Sequence, residues 1–178
     1  TNVNASLTAT TGSITDAGSA FGNEDVIAAG LRMVAGIGIG QSTDHLETKV
    51  TTLTTRATSG GTFITETDTL TIDDVSVTIQ QVATDATVAP VTDVTQSDLI
   101  TSAGNGSIVI VTGGALTIND GTAATDNTGV SAHGTGNILL STTGTITSNA
   151  DLNSGTGHIT LVASDSIEFT ATADARTA

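Results

Sequence analysis

Carboxylate and amide side chains gather between residues 119 and 127, and their chemistry suits a hard cation. Asn119-Asp120-Gly121 is followed shortly by Asp126 and Asn127. Calcium takes its ligands from Asp and Asn side-chain oxygens and from backbone carbonyls. The spacing is not that of an EF-hand, and Asn-Asp-Gly is also a common turn sequence. Asn119, Asp120, Asp126 and Asn127 are therefore a candidate calcium site, with a simple turn as the alternative. We expect calcium or no cofactor at all.

A second acidic segment, Asn23-Glu24-Asp25, has the same oxygen-rich character. It lacks a recognised metal-binding spacing as well. The expectation is an acidic loop ahead of a strand that begins near Val26, with calcium as a weaker option.

The three histidines do not suggest catalysis. Nucleophilic catalysis needs a base close to the attacking hydroxyl. His45, His133 and His158 each lie in a polar segment, and none has the spacing of a triad or of a metal site. The simpler interpretation is that all three are solvated surface residues.

Polysaccharide cleavage is the enzymatic alternative, since glycoside hydrolysis uses two carboxylates at a defined separation. Asp73-Asp74 and the pair Asp165 and Glu168 could supply them. Aromatic residues make up 2% of the chain, however, so sugar-stacking platforms are scarce. The sequence predicts no enzyme and no catalytic residues.

The elements that carry these residues are short and repetitive. One frame of residue types recurs: apolar residues at positions i and i+2, a small or β-branched residue at i+4, and an apolar residue at i+8. Alternation with a period of two indicates a strand with one buried face, and the small residues that follow indicate a corner. The frame occurs at Leu31-Met33-Ala35-Ile39, Ile108-Ile110-Thr112-Leu116, Ile138-Leu140-Thr142-Ile146 and Ile159-Leu161-Ala163-Ile167, and in shortened form at Phe63-Thr65-Leu70 and Leu7-Ala9-Ile14.

Strand, corner and strand at intervals of 20 to 30 residues or so are typical of a β-solenoid. We predict an all-β fold, a right-handed parallel β-helix, that forms a single domain over residues 1–178. A β-sandwich or pilin-like fold is the alternative. Residues 75–104 depart from the frame and contain the only proline, Pro90. This segment is expected to be a lateral insertion.

Three segments share a Gly-x-Gly-x-Ile opening: Gly104 to Ile108, Gly134 to Ile138 and Gly155 to Ile159. Gly60-Gly61-Thr62-Phe63 is a shorter relative of them. The pattern resembles the repeats of large bacterial surface and secreted proteins, including filamentous-haemagglutinin-like adhesins. The resemblance implies a right-handed β-helix with an extracellular structural or adhesive role, and it supplies no catalytic residues.

The charge composition limits the classes of partner that the chain is expected to bind. The chain has 18 acidic residues and four Lys or Arg, a net charge of −14. This balance argues against nucleic acid and anionic membranes, which are bound through basic side chains. No apolar run is long enough to span a membrane. The chain starts at Thr1 rather than Met, which suggests a processed form or a fragment and favours export.

Taken together, these patterns predict a structural subunit or segment of an extracellular filament or surface fibre that assembles end to end with itself or continues a longer chain. A surface adhesin that binds through residues 75–104 is the second hypothesis. A polysaccharide-active β-helix enzyme is the third.

Overall fold

The computed structural model describes residues 3–18 and 23–177, and within these ranges the chain forms strands and no helix. Almost all strand pairing is parallel, in one 11-stranded and one six-stranded sheet. This is the class of architecture expected of β-helices and solenoids. The strands are β1 (Ala5–Ala9), β2 (Val26–Ile27), β3 (Gly30–Ala35), β4 (Leu46–Lys49), β5 (Thr52–Ala57), β6 (Thr62–Glu66), β7 (Leu70–Ile72), β8 (Thr78–Val82), β9 (Val88–Thr92), β10 (Leu99–Thr101), β11 (Ile108–Thr112), β12 (Leu116–Ile118), β13 (Thr128–Ser131), β14 (Ile138–Thr142), β15 (Ile146–Ser148), β16 (Asp151–Asn153), β17 (Ile159–Ala163), β18 (Ile167–Phe169) and β19 (Ala175–Arg176).

The six-stranded sheet, hereafter the first ladder, runs in the order β2–β4–β6–β11–β14–β17. Its register places residues of the same type next to one another on neighbouring strands, so that they form rows across the sheet. Ile64 pairs with Ile110, Ile110 with Leu140 and Leu140 with Leu161. The first three of these are fully buried. Aliphatic side chains stacked in this way form a continuous apolar row that runs across the strands.

The 11-stranded sheet has two arms that meet at β5. The second ladder is β7–β12–β15–β18, and the third is β1–β3–β5–β10–β13–β16–β19. They join because β5 pairs with β7 at Leu53 and with β10 at Thr55 to Ala57. From β6 onwards, each repeat of the chain gives one strand to each ladder in turn.

One hydrophobic cluster draws on all three ladders. In β11, β12 and β14 the burial alternates residue by residue, with the even-numbered positions Ile108, Ile110, Leu116, Ile118 and Leu140 inaccessible to solvent. Side chains on a strand point alternately to opposite faces. The buried set therefore faces a common interior, as the period-two pattern predicts.

The Gly-x-Gly openings have two different structural requirements. The first glycine adopts a positive φ in all three, at Gly104, Gly134 and Gly155, a conformation that glycine accepts without strain. The second glycine is a close backbone contact. A Cβ at Gly136 would lie 2.2 Å from the carbonyl oxygen of Gly106, and one at Gly157 would lie 2.1 Å from that of Gly136. Both positions exclude larger residues.

Residues 78–92 break the parallel pattern. β8 and β9 form an antiparallel hairpin whose ten residues are all exposed. At its base, Val75 and Gln96 exchange backbone hydrogen bonds of 2.8 and 3.1 Å. The chain then returns to the third ladder at β10. The hairpin is thus a side branch between β7 and β10, inside the segment expected to be an insertion.

Three of the sequence frames align differently from the prediction. The frame starting at Leu7 lies on β1 in the third ladder, where Leu7 pairs with Met33. The frame starting at Leu31 lies on β3 in the third ladder, whereas the frames starting at Ile108, Ile138 and Ile159 lie in the first. The Phe63-Thr65 frame is displaced by one residue, because Phe63 pairs with Val109 and Ile64 carries the buried position. A shift of one residue exchanges the two faces of a strand.

Candidate functional site

The predicted calcium loop, residues 119–127, connects β12 to β13. Asn119 is already engaged within it. Its amide Nδ2 donates to Asp73 Oδ2 at 2.8 Å, and its Oδ1 accepts from Asn149 Nδ2 at 2.8 Å. These three side chains form a row across neighbouring repeats. Asn119 therefore joins repeats together through both ends of its amide.

The far end of this loop is also tied to the fold. Asn127 has a φ of 61°, and its Nδ2 donates to Asp151 Oδ1 at 3.1 Å and to the Thr172 carbonyl at 2.6 Å. Asp126 is exposed, and its Oδ1 accepts from the Thr128 backbone N–H at 3.0 Å. The loop thus offers Asp120 and Asp126 as its carboxylates, with its amides occupied in structural bonds.

A buried carboxylate that the sequence did not reveal, Asp98, lies near this loop, since Gly121 packs against Ser97. Asp98 is 1% exposed, directly before β10, and has a φ of 66°. The pKa of Asp98 is raised to about 7, chiefly by burial and with a contribution from the charges of Asp126 and Asp120, against the opposing effects of a hydrogen bond from Ser97 and the charge of Arg56. Asp98 is 22 positions before Asp120 in the sequence, and no local motif marks it.

Two oxygens in this group have no hydrogen-bond partner among the described residues. They are Asp98 Oδ1 and Asp120 Oδ1, and both are buried. The other oxygen of Asp98 accepts from Ser97 Oγ at 2.8 Å. A buried carboxylate oxygen without a partner is costly, so this is the least satisfied polar region in the part of the chain that the structure describes.

The second acidic segment has a different arrangement. Asp25 meets Asp16 and Glu47, with one carboxylate oxygen of each within 4.8 Å of the others. Asp25 Oδ2 also accepts from the Glu47 backbone N–H at 3.0 Å. Burial raises the pKa of Glu47, and the neighbouring carboxylates add to this. Glu24 points elsewhere, to Thr67 Oγ1.

The candidate carboxylate pair, Asp73 and Asp74, accepts hydrogen bonds from backbone N–H groups. Asp73 Oδ1 accepts from the Asp74 N–H at 2.7 Å. Asp74 accepts from the Thr122 backbone N–H at 2.9 Å and from the Thr122 hydroxyl. Burial alone would raise the pKa of Asp74, but these hydrogen bonds outweigh it and lower the pKa. Asp165 and Glu168 are both exposed on the last repeat.

His45 differs from the expectation of a solvated histidine. His133 and His158 are exposed, whereas His45 is half-buried, with its ring 6.0 Å from that of Phe63 and its Nδ1 3.0 Å from Thr65 Oγ1. Burial lowers the pKa of His45. The segment before β4 lies over the outer face of the first ladder here and borders an open pocket of about 350 Å³. The pocket is lined by Ser42, Thr43, Asp44, His45, Glu47, Thr65 and Val111.

No protein-family model matches the chain, and no curated protein or solved structure matches it. In the described residues no helix is long and apolar enough to cross a membrane.

Proposed function

We propose that the three ladders close into a right-handed β-solenoid that serves as a structural subunit or segment of an extracellular filament or surface fibre, without catalysis. The support comes from the register. Ile110 pairs with Leu140, 30 residues later, and Leu140 with Leu161, 21 residues later. Repeats stacked in this way bury a continuous core. Crossovers between parallel strands of one sheet are almost always right-handed, which supports the handedness.

The main support for the proposal is that one face of the last repeat is left uncovered. Ile167 and Phe169 continue the inward rows of the second ladder, yet they are 44% and 42% exposed. Ile146, one repeat earlier in the same row as Ile167, is fully buried. Strands β17, β18 and β19 each terminate a ladder and so present one unpaired backbone edge. Apolar rows and open edges on the same face are features of a surface that another layer of strands covers.

A further repeat of the same kind fits this face best, supplied by a second copy of the chain or by continuation of a longer one. At the opposite end Ala5, Leu7, Ile14 and Val26 are only partly buried, although they pack against the core. End-to-end contact would extend the rows and pair the free edges. The strongly acidic surface, with its net charge of −14, disfavours sideways clumping by mutual repulsion.

Substitutions on the exposed face test this proposal. We expect the double variant Ile167→Asp, Phe169→Asp to abolish concentration-dependent association, because charges cannot be buried between repeats without a partner. Val162→Asp is the matched control, since Val162 is 49% exposed on the same last repeat but points outward. Sedimentation velocity and negative-stain electron microscopy give the readout. Wild-type chain that stays monomeric at high concentration, or a control variant that fails equally, would contradict end-to-end assembly.

A surface adhesin that binds through residues 75–104 is the second candidate, and the exposed hairpin favours it. Ile79, Val82, Val88 and Val91 lie on strands with no buried residue and are all more than 40% exposed. Ile79 pairs with Val91 and Val82 with Val88, and since Ile79 and Val82 are three residues apart, the two pairs lie on opposite faces of the hairpin. Each face thus presents one exposed apolar pair, and exposed apolar side chains are a common feature of binding surfaces. In this version the ladders form the scaffold and the hairpin makes the contact.

A further inference from the structure

We propose that the two ends of the chain fit one another in a single register, so that the last repeat of one copy docks on β1 of a second copy. In this register Phe169 lies against Ala5, and Ala175 lies against Leu7. The proposal rests on the end-to-end assembly proposed above. It adds the partner, a second copy of the chain, and the polarity and register of the contact.

Two inward rows begin on β1 and end on the last repeat. The first runs from Ala5 through Leu31, Leu53, Ile72, Ile118 and Ser148 to Phe169. The second runs from Leu7 through Met33, Thr55, Leu99, Val130 and Leu152 to Ala175. Within the part of the chain that the structure describes, β1 pairs with β3 alone, β18 with β15 alone and β19 with β16 alone. One edge of β1 therefore matches the combined edges of β18 and β19, position for position.

The side chains at the two ends of these rows complement one another in size. Phe169, which is 42% exposed, covers the small Ala5 of the second copy in this register. Leu7 of the second copy covers the exposed Ala175. Large side chains set opposite small ones fill a core without voids or overlap. The continued rows would thus close the core at the contact.

The first ladder ends in the same way. The row that begins at Val26 ends at Ala163, again with a larger residue facing a smaller one. A further row begins at Ile14, which bridges to Ile39, and ends at Ile159. All four end residues are only partly buried, although they pack against the core. The first ladder therefore continues in the same register as the other two.

The charges at the two ends also complement one another. Arg176 is the only Lys or Arg after residue 56, and it ends the outward row that begins at Thr8. Thr8 lines a groove together with Asp93, which lies at the base of the hairpin. Continuing the row brings Arg176 of one copy to Thr8 of the next, and so to the groove that contains Asp93.

Asp174 adds a second match of opposite charge. It lies directly before Ala175, so in this register it comes beside Ser6 of the second copy. Arg32 Nη1 donates to Ser6 Oγ at 3.4 Å, so this guanidinium extends to the terminal strand. A copy that ran the opposite way along β1 would bring Arg176 towards Arg32 instead. Opposite charges that meet in only one orientation select that orientation.

Cysteine cross-linking tests the register, because the chain has no cysteine of its own. Thr8→Cys and Thr177→Cys are made as separate variants, mixed in equal amounts and treated with a short bismaleimide. We expect a cross-linked dimer from the mixture and none from either variant alone, because different surfaces meet in a head-to-tail contact. Both positions are exposed, so both variants should fold, as far-UV circular dichroism will verify.

Ile27→Cys in place of Thr8→Cys is the matched control. Ile27 is 56% exposed at the same end of the chain, but it lies on β2 in the first ladder. Its mixture with Thr177→Cys should give at most about a tenth of the dimer. An equal yield with Ile27→Cys would mean that the second copy is rotated about the fibre axis. Either that result or a dimer from one variant alone would overturn the proposed register.

Charge exchange tests the contact between Asp93 and Arg176. We expect Asp93→Arg to weaken association by about tenfold or more in sedimentation velocity, and the double variant Asp93→Arg, Arg176→Asp to recover most of the loss. Asp85→Arg makes the same change of charge in the hairpin turn, outside the groove, and should associate as strongly as the wild type. Association of Asp93→Arg at the wild-type strength would overturn the charge contact. A wild-type chain that stays monomeric would instead contradict end-to-end assembly itself.

Discussion

Glu66 is the most deeply buried acid of the first ladder, and it bonds one turn of backbone to the next. It is 1% exposed, at the end of β6. Its Oε2 accepts from Thr48 Oγ1 at 2.7 Å and from the Val50 N–H at 3.0 Å. Thr112 follows it in the same row. This role could not be predicted from the sequence, because two of the three residues that donate hydrogen bonds to Glu66 lie 16 and 18 positions away.

This carboxyl makes stability dependent on pH. Burial raises the pKa of Glu66 from 4.5 to about 7, against the lowering effect of its hydrogen bonds with Thr48, Val50 and Asp68. The folded state therefore holds the proton more tightly than the unfolded chain does. The stability linked to this proton is fully present below pH 4.5 and is lost as the pH rises through about 7. We expect the wild type to lose about 1–3 kcal/mol of unfolding free energy through Glu66 across this window.

Glu66→Gln should reduce the slope without abolishing it, because the amide stays neutral throughout while Asp98, whose pKa is also about 7, still titrates in this window. Urea unfolding at a series of pH values between 4 and 8, in EDTA, provides the measurement. Asp85→Asn removes one negative charge from the hairpin instead. Hydrogen bonds from Thr87 lower the pKa of Asp85, so its titration lies below this window and the wild-type slope should persist. Equal slopes for wild type and Glu66→Gln would refute the assignment.

At the scale of the elements, the strand and corner pattern could be predicted, but the ladder to which a strand belongs could not. Leu31-Met33-Ala35 and Ile108-Ile110-Thr112 have the same alternation, yet β3 and β11 lie in different ladders. Alternation reports only that one face of a strand is buried. Pairing depends on where the preceding corner directs the chain. The shift at Phe63 has a related origin, since a large apolar residue on the outer face imitates an inward one.

At the scale of the elements, the Gly-x-Gly openings are the feature that could be recognised most directly from the sequence. We expect Gly136→Ala to destabilise the fold by about 1–3 kcal/mol, the usual cost of overpacking, because the new Cβ would meet the Gly106 carbonyl oxygen at 2.2 Å. Gly136 does not have a positive φ, so the effect is one of space. Gly12→Ala is the control, as a Cβ there has nothing within 4 Å, and its change should stay within about 0.5 kcal/mol. Chemical denaturation compares the two, and similar losses would show that the stacked glycines do not limit the repeat spacing.

At the scale of the whole molecule, the all-β class with long parallel sheets is confirmed. The calcium prediction for the 119–127 loop remains a prediction. Asp120 and Asp126 were chosen because they are close in the chain, whereas the buried Asp98 lies near their loop only because Gly121 packs against Ser97. Local composition identifies residues of the right type. Only the stacking of repeats decides which of them meet.

The hairpin at residues 78–92 projects from the ladders, so it can be deleted without removing any residue of the hydrophobic core. Val77 and Asp93 are already joined by a backbone hydrogen bond of 2.9 Å beneath the hairpin. Replacing residues 78–92 with Asn-Gly, a sequence that favours two-residue hairpin turns, should leave the core intact because β8 and β9 bury nothing in it. We expect the far-UV circular dichroism to stay β-rich, the unfolding temperature to change little and end-to-end association to persist.

The same deletion decides between the two functional candidates. A fibre built only by stacked repeats should form equally well without the hairpin, and electron microscopy of the two chains should show matching assemblies. An adhesin should instead lose attachment to cells or matrix while its assembly is unchanged. Loss of assembly itself would mean that the hairpin takes part in contact between copies, since residues 75–77 and 93–104 remain in place. In that case the apolar row of Ile79 and Val91, rather than the uncovered face at Ile167 and Phe169, would be the surface through which the chain associates.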